Sequence, residues 1–349
     1  MSSSSDPASI RNMRSSLFFL LLASSLFAQT YSVQKSNSEE SLRGLSAPSS
    51  QVIWASGAHG AYLRSIDGGN SWLVRQVPGA ETLDFRDVEA FDADLAYLLS
   101  IGPGEQSRIY KTTDGGKSWG LQFTNKNPKG FFDCTAFWDR DHGIVIGDPV
   151  DGKFELITTE DGGKNWDAIP GPTALPGEGA FAASGTCVVV HGKTNVWFAS
   201  GGAARVFHSA NSGKTWEVFD TPIKHGNDSS GIFSIAFQDE LHGVIAGGDY
   251  KQPAQNGENL AFTSDGGRTW KLAPISPQSY VSAISISKTP ADHAFIAVGS
   301  AHAAFARGIT DKSWEEVWDL NLNAVTFYAP NKAIAVGPKG LIVKFDLAK

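Results

Sequence analysis

The chain has 349 residues, 41% hydrophobic and 19% charged with 37 Gly, so it can bury a large core and supplies many turns, which excludes disorder as its general state. The formal charge of −7 comes with no stripe of Lys and Arg, so the sequence excludes a nucleic-acid binder, which must displace phosphate counterions.

At the N-terminus, Arg11 and Arg14 precede the apolar run Leu17–Ala23, and Ser24, Ser25 and Ala28 follow. This pattern predicts a signal peptide over residues 1–28, too short to span a bilayer comfortably. The mature region, 29–349, is therefore expected to be exported, periplasmic or secreted, with no integral membrane segment left after removal of the signal.

Next comes a repeated eight-residue motif: SIDGGNSW at Ser65–Trp72, TTDGGKSW at Thr112–Trp119, TEDGGKNW at Thr159–Trp166, SANSGKTW at Ser209–Trp216 and TSDGGRTW at Thr263–Trp270. A sixth copy, Gly308–Trp314, keeps mainly its end. The tryptophans are 47, 47, 50, 54 and 44 residues apart, the period of a four-stranded propeller blade. In such a turn the Asp carboxylate accepts backbone N–H bonds, Gly supplies a positive φ and the indole buries a large ring. These carboxylates are expected to fasten hairpins rather than to catalyse.

Upstream of each motif lies a β-rich run ending in Gly: Val52–Gly57, Ala96–Gly102, Gly143–Gly147, Val196–Gly201, Gly243–Gly247 and Ala294–Gly299, with a seventh at Ala333–Gly337. Each follows another strand, such as Asp87–Phe91 or Ala324–Tyr328. The fold expected is all-β, a single seven-bladed β-propeller. The last copy ends at Leu341–Leu347 with no partner for its edge, which would expose ladder groups. Residues 31–34 are expected to supply that outer strand, closing the ring through the two chain ends.

With strands a to d running from axis to rim, the motif turns are c-to-d connections on the lower face. The b-to-c turns then bring His59, Asp148, Asp249, Tyr250 and His302 to the upper face. Segments near the d-to-a connections add Arg43, Arg86, Asp133, Glu178, His225 and Tyr280, and Arg205 opens a third strand. These residues break the repeat consensus, where a site is most readily grafted onto a fold. Asp148, Glu178 and Asp249 are the candidate catalytic carboxylates, since burial of one could separate acid from base roles. Arg43, Arg86 and Arg205 could grip a carboxylate in fork geometry, and Tyr250, His59 and His302 complete the candidate ligand-binding set. No metal ligand set and no cofactor motif is found.

Cys134 and Cys187 fall at similar offsets on neighbouring inner strands. A disulfide is conceivable in an exported chain, but inner strands of adjacent blades are expected to stand too far apart, so two buried thiols are the preferred reading.

The motifs resemble the Asp-box, or bacterial neuraminidase repeat. Together with SLR43G, FR86D and seven blades, they make the chain similar to the photosystem II stability/assembly factor family of propellers and its non-photosynthetic bacterial relatives. That resemblance implies an arginine patch on one face, matched here by Arg43 and Arg86, although later blades lack the arginine. Two functions are expected to compete. The first is an exported, monomeric scaffold that binds a protein partner or a glycan at its upper central face. The second is a carbohydrate-active enzyme, hydrolase or lyase, acting through the mouth carboxylates.

Overall fold

The computed structural model describes residue 1 and residues 30–347, apart from 256, 275, 276, 278, 288–293, 309–313 and 315. The signal peptide expected over residues 1–28 and most of the sixth motif copy therefore lie outside the described residues. Among those described, no helix is long and apolar enough to cross a membrane.

Among the described residues, twenty-eight strands, numbered in chain order, form seven four-stranded antiparallel sheets. The first blade is β2 (Leu42–Ser46), β3 (Ile53–Gly57), β4 (Ala61–Ser65) and β5 (Leu73–Gln76). The inner strands of the next five blades are β6 (Asp84–Ala90), β10 (Phe132–Phe137), β14 (Val188–His191), β18 (Ser230–Phe237) and β22 (Ala283–Ile286). The seventh blade runs outward through β26 (Ala324–Ala329), β27 (Lys332–Val336) and β28 (Ile342–Asp346). Its outermost strand is β1 (Thr30–Gln34), paired antiparallel with β28 from Thr30 opposite Asp346 to Gln34 opposite Ile342. The expected closure through both chain ends is present and covers the edge that β28 would otherwise expose.

The core is distributed between blades. One cluster, with Ile53, Leu63, Ile334 and Ile342, joins the first blade to the seventh, and comparable clusters fill the other junctions. The repeated turns feed these junctions. Asp67 Oδ1 accepts the backbone N–H groups of Asn70 and Ser71, at 3.0 and 2.9 Å, and Oδ2 accepts Ser71 Oγ–H at 2.6 Å. Bonds from Ser71 and Ser65 hold its pKa down to about 2. Where the fourth copy has Asn211, Oδ1 still accepts Thr215 N–H at 2.9 Å, so the carbonyl-like acceptor matters more than the charge. The indoles pack across the junctions: Trp119 of the second blade lies edge-on to Trp54 and Tyr62 of the first. A further cross-blade tie was not legible in the sequence. Tyr62 O–H donates to Gly116 O and Tyr97 O–H to Gly162 O, each reaching the motif turn of the following blade.

The expectation of two free thiols is corrected. Cys134 and Cys187 form a disulfide, with Cα atoms 6.0 Å apart, inside the ordinary span for such a bridge. The distance was overestimated because inner strands converge toward the axis: Cys134 lies on β10, and Cys187 immediately precedes β14.

Deleting residues 30–34 should remove a five-residue ladder, costing about 3–5 kcal/mol at roughly 1 kcal/mol per lost bond, and lower the melting temperature by about 5–10 °C. An unchanged melting temperature would show that β1 does not close the ring. The double substitution Cys134→Ala, Cys187→Ala should cost roughly 4 kcal/mol in urea unfolding, from the loop-closure entropy that the bridge removes. Thiol alkylation of the denatured, unreduced chain should leave its intact mass unchanged.

Candidate functional site

The site lies on the upper face, where the connection between the third and fourth blades, residues 170–187, is longer than its counterparts and turns inward across the central channel. Within it, Gly179–Ser184 forms a strap clasped by charged side chains from other blades. Arg86 Nη1–H donates to Ala182 O at 3.0 Å and Arg43 Nη1–H to Ala183 O at 3.3 Å. From the third blade, Asp148 Oδ1 accepts Ala180 N–H at 2.9 Å and the Asp133 carboxyl accepts Ala182 N–H. Ser184 Oγ–H donates to Ser282 O on the sixth blade at 3.1 Å. At the far end, Gly185 has φ +73° and a Cβ there would run into the Asp87 carboxyl, so only glycine lets the chain leave the strap.

The strap divides the mouth into two hollows. The first, about 550 Å³, is lined by Arg43, Arg86, Phe181, Phe233, Tyr250 and Tyr280. Phe181 stacks flat on Phe233 with centroids 3.8 Å apart, and Tyr280 meets Phe233 edge-on at 4.7 Å. Tyr250 stands at the rim, 47% exposed. Arg86 is paired with Asp84 at 2.8 Å, whereas no carboxylate of the described residues lies within ion-pair distance of Arg43. Burial first, and the neighbouring Arg86 guanidinium second, lower the Arg43 pKa from its ordinary value.

The second hollow, about 530 Å³, lies on the other side of the strap and includes Arg86, Lys129, Asp133, Asp148 and Asp228 in its lining. Asp133 is 1% exposed and its Oδ2 has no hydrogen-bond partner. Burial first, and the nearby Asp148 second, push its carboxyl well above the ordinary range. Burial likewise raises Asp148, against the opposing bond from Ala180.

The remaining candidates are placed as follows. Glu178 does not open into the second hollow as a free carboxylate: its side chain is fully buried and ion-paired with Arg205, whose Nε–H donates to Oε1 at 2.9 Å. Ser200 Oγ–H and Leu175 N–H complete its shell at 2.6 and 2.8 Å. Arg205 is thereby committed to anchoring the start of the strap. Asp249 lines neither hollow. Burial works to raise its pKa, but bonds from Ser229, Lys251 N–H and Asn227 outweigh it and leave the value lowered. His59 is exposed and bound to Glu40 at 2.6 Å, and His302 sits 3.2 Å from Asp319; both lie outside the hollows. The structure therefore gathers Arg43, Arg86, Asp133, Asp148, Tyr250 and Tyr280 at the mouth, keeps Glu178 in the wall of the second hollow bound to Arg205, and leaves Asp249, His59 and His302 outside both hollows. The aromatic floor and the unpartnered oxygen of Asp133 escaped sequence reasoning. The signal for the floor was the single occurrence of GEGAFAAS in an overlong connection.

Fold and site together define a seven-bladed propeller with a strapped central mouth. No known protein-family profile matches the sequence. The xyloglucanase Xgh74A of Acetivibrio thermocellus is 24% identical over 244 residues, 61% of this chain and 28% of its own. The chain thus spans less than a third of the length of the curated relatives it matches. Among solved structures, U3-55K superposes with a TM-score of 0.67 at 13% identity, over 91% of this chain and 98% of that one. YCF48 bound to D1 peptide gives 0.46 at 15% identity, over 92% and 96%. The likeness to U3-55K is one of fold alone.

A carboxyl whose pKa is raised by folding contributes stability below its ordinary range and loses that contribution as pH rises through the folded value. Asp133→Asn, which keeps an acceptor for Ala182 and cannot ionise, should therefore gain on the wild type as pH rises. The gain should be roughly 1.4 kcal/mol for each pH unit between the unfolded and folded values. Parallel stability curves for the two proteins from about pH 4 to about pH 8 would show that Asp133 ionises as readily folded as unfolded.

Proposed function

We propose that the chain is an exported propeller scaffold whose upper central face binds a carboxylate-bearing protein partner. The observation that carries this reading is Arg43, a half-buried guanidinium beside Arg86, with no carboxylate of its own and an aromatic wall next to it. A guanidinium held out of water is stabilised by a planar anion that meets its fork, and neighbouring rings bury the apolar part of the same ligand. The repeated turns belong, on this reading, to the Asp-box class, and residues 1–28 act as the export signal. A carboxylated glycan would meet the same arginines, but the protein partner is preferred because the hollow is walled by four aromatic side chains.

One observation favours a second reading, a carbohydrate-active enzyme: Asp133 and Asp148 share one hollow, and burial raises the pKa of Asp133 well above its ordinary value with Asp148 also raised, so that one carboxyl can keep its proton beside the other. The xyloglucanase relatives make xyloglucan the first substrate to assay, followed with Asp148→Asn. Release of reducing ends that this variant abolishes would replace the scaffold reading.

For the scaffold, 3-phenylpropionate and its amide are suitable probes in NMR titration. The acid should bind at least tenfold more tightly than the amide, and Arg43→Gln, which can still donate to Ala183 O, should erase that difference. Equal affinity of acid and amide for the wild type would sink the reading.

A further inference from the structure

Beyond the carboxylate-binding hollow lies a second centre of uncompensated charge with the opposite sign. Around the second hollow most charged groups are already satisfied. Glu178 is neutralised by Arg205, Lys129 pairs with Asp151 at 3.1 Å, Asp228 pairs with Lys251 at 3.2 Å, and Arg86 is held by Asp84 and the strap. Two acidic side chains are left. Asp148 gives Oδ1 to Ala180 N–H, and its Oδ2 has no partner among the described residues. Asp133, 99% buried, has an Oδ2 with no hydrogen-bond partner among the described residues, in the wall of the same hollow. A buried oxygen left unpaired is costly, and the cost is relieved by a ligand that brings a donor.

The two hollows share Arg86, Phe181 and Ala182 as their dividing wall, so a ligand in one has only the strap to cross to reach the other. Their free charges are complementary to a ligand with an anion at one end and a cation at the other. We propose that the mouth recognises a polypeptide segment carrying both groups, its carboxylate on Arg43 and a lysine-type ammonium on Asp148 and Asp133 across the strap. This inference rests on the carboxylate reading of the first hollow and adds the chemistry of the second. Like-signed segments are rejected: a second carboxylate arriving at Asp148 meets a carboxylate, and a second ammonium arriving at Arg43 meets a guanidinium. Burial, the first influence on each, displaces both carboxyl pKa values upward, and at Asp133 the Arg86 guanidinium offsets this only in part, so an arriving cation is favoured.

The test titrates the full chain, followed by NMR, with the series from 4-aminobutyrate to 8-aminooctanoate and with the methyl-ended alkanoates of equal length. At least one amino acid of the series should bind tenfold or more tightly than its matched alkanoate. Asp148→Asn keeps the acceptor for Ala180 and removes the charge. It should abolish that advantage while leaving alkanoate affinity and melting temperature within about twofold and 2 °C of the wild type. Equal binding of amino acids and alkanoates, both lost in Arg43→Gln, would overturn the bipolar inference and leave the carboxylate site standing. Failure of every probe to bind the wild type more tightly than Arg43→Gln would overturn both. An ammonium advantage that survives in Asp148→Asn and in Asp133→Asn would place the cation elsewhere and also overturn the inference.

Discussion

Every blade of this ring is a thin sheet whose two faces must both be buried, and only its neighbours can cover them. That constraint makes closure a requirement for the whole molecule. The β1–β28 ladder meets it by using the first described strand to finish the last sheet, so the outer edge of the seventh blade is paired. With the ring closed, seven inter-blade clusters replace a single core. The aromatic ties from Tyr62 and Tyr97 into the following blade's turn fix the spacing between sheets.

The same residue type serves opposite ends on the two faces. In the lower turns, Asp67 and Asp114 are surrounded by N–H and O–H donors, and hydrogen bonds hold each acidity near 2. At the upper mouth Asp133 is as fully enclosed as a core leucine, with burial as the dominant influence and its pKa driven up. A carboxylate ringed by donors is locked as an anion; one that is buried and underbonded holds its proton until something arrives to replace it. The distinction is one of environment, and both environments follow from where the blade puts its turns.

The strap gives the mouth its character. Without residues 179–184 the channel would open onto Asp87 and the polar side chains of the inner strands. With the strap in place, its carbonyls occupy part of Arg43 and Arg86 and its amides occupy part of Asp133 and Asp148. These four side chains are therefore oriented before any ligand arrives, which reduces the ordering that binding must impose. Glu178 and Arg205, two candidates for direct roles, hold the strap's near end instead.

Periodicity is a local property, and so the eight-residue motif and the Gly-terminated runs were enough to specify seven blades, their turns on one face and the closing strand from residues 31–34. Hydrophobic alternation and turn chemistry act within a few residues and leave their mark in the order of the chain. The sorting of Arg43, Arg86 and Asp148 to one mouth was legible for the same reason, since topology alone assigns turns to faces. What the order could not disclose was which carboxylates keep a free oxygen. Glu178 and Asp249 are spent on partners from the neighbouring turns and strands that only the folded connections aim at them, while Asp133 keeps an unpaired oxygen, and the bridge from Cys134 to Cys187 depends on how tightly the inner strands converge. Such outcomes are set by distances and burial between segments remote in sequence, and these take definite values only when the ring is assembled.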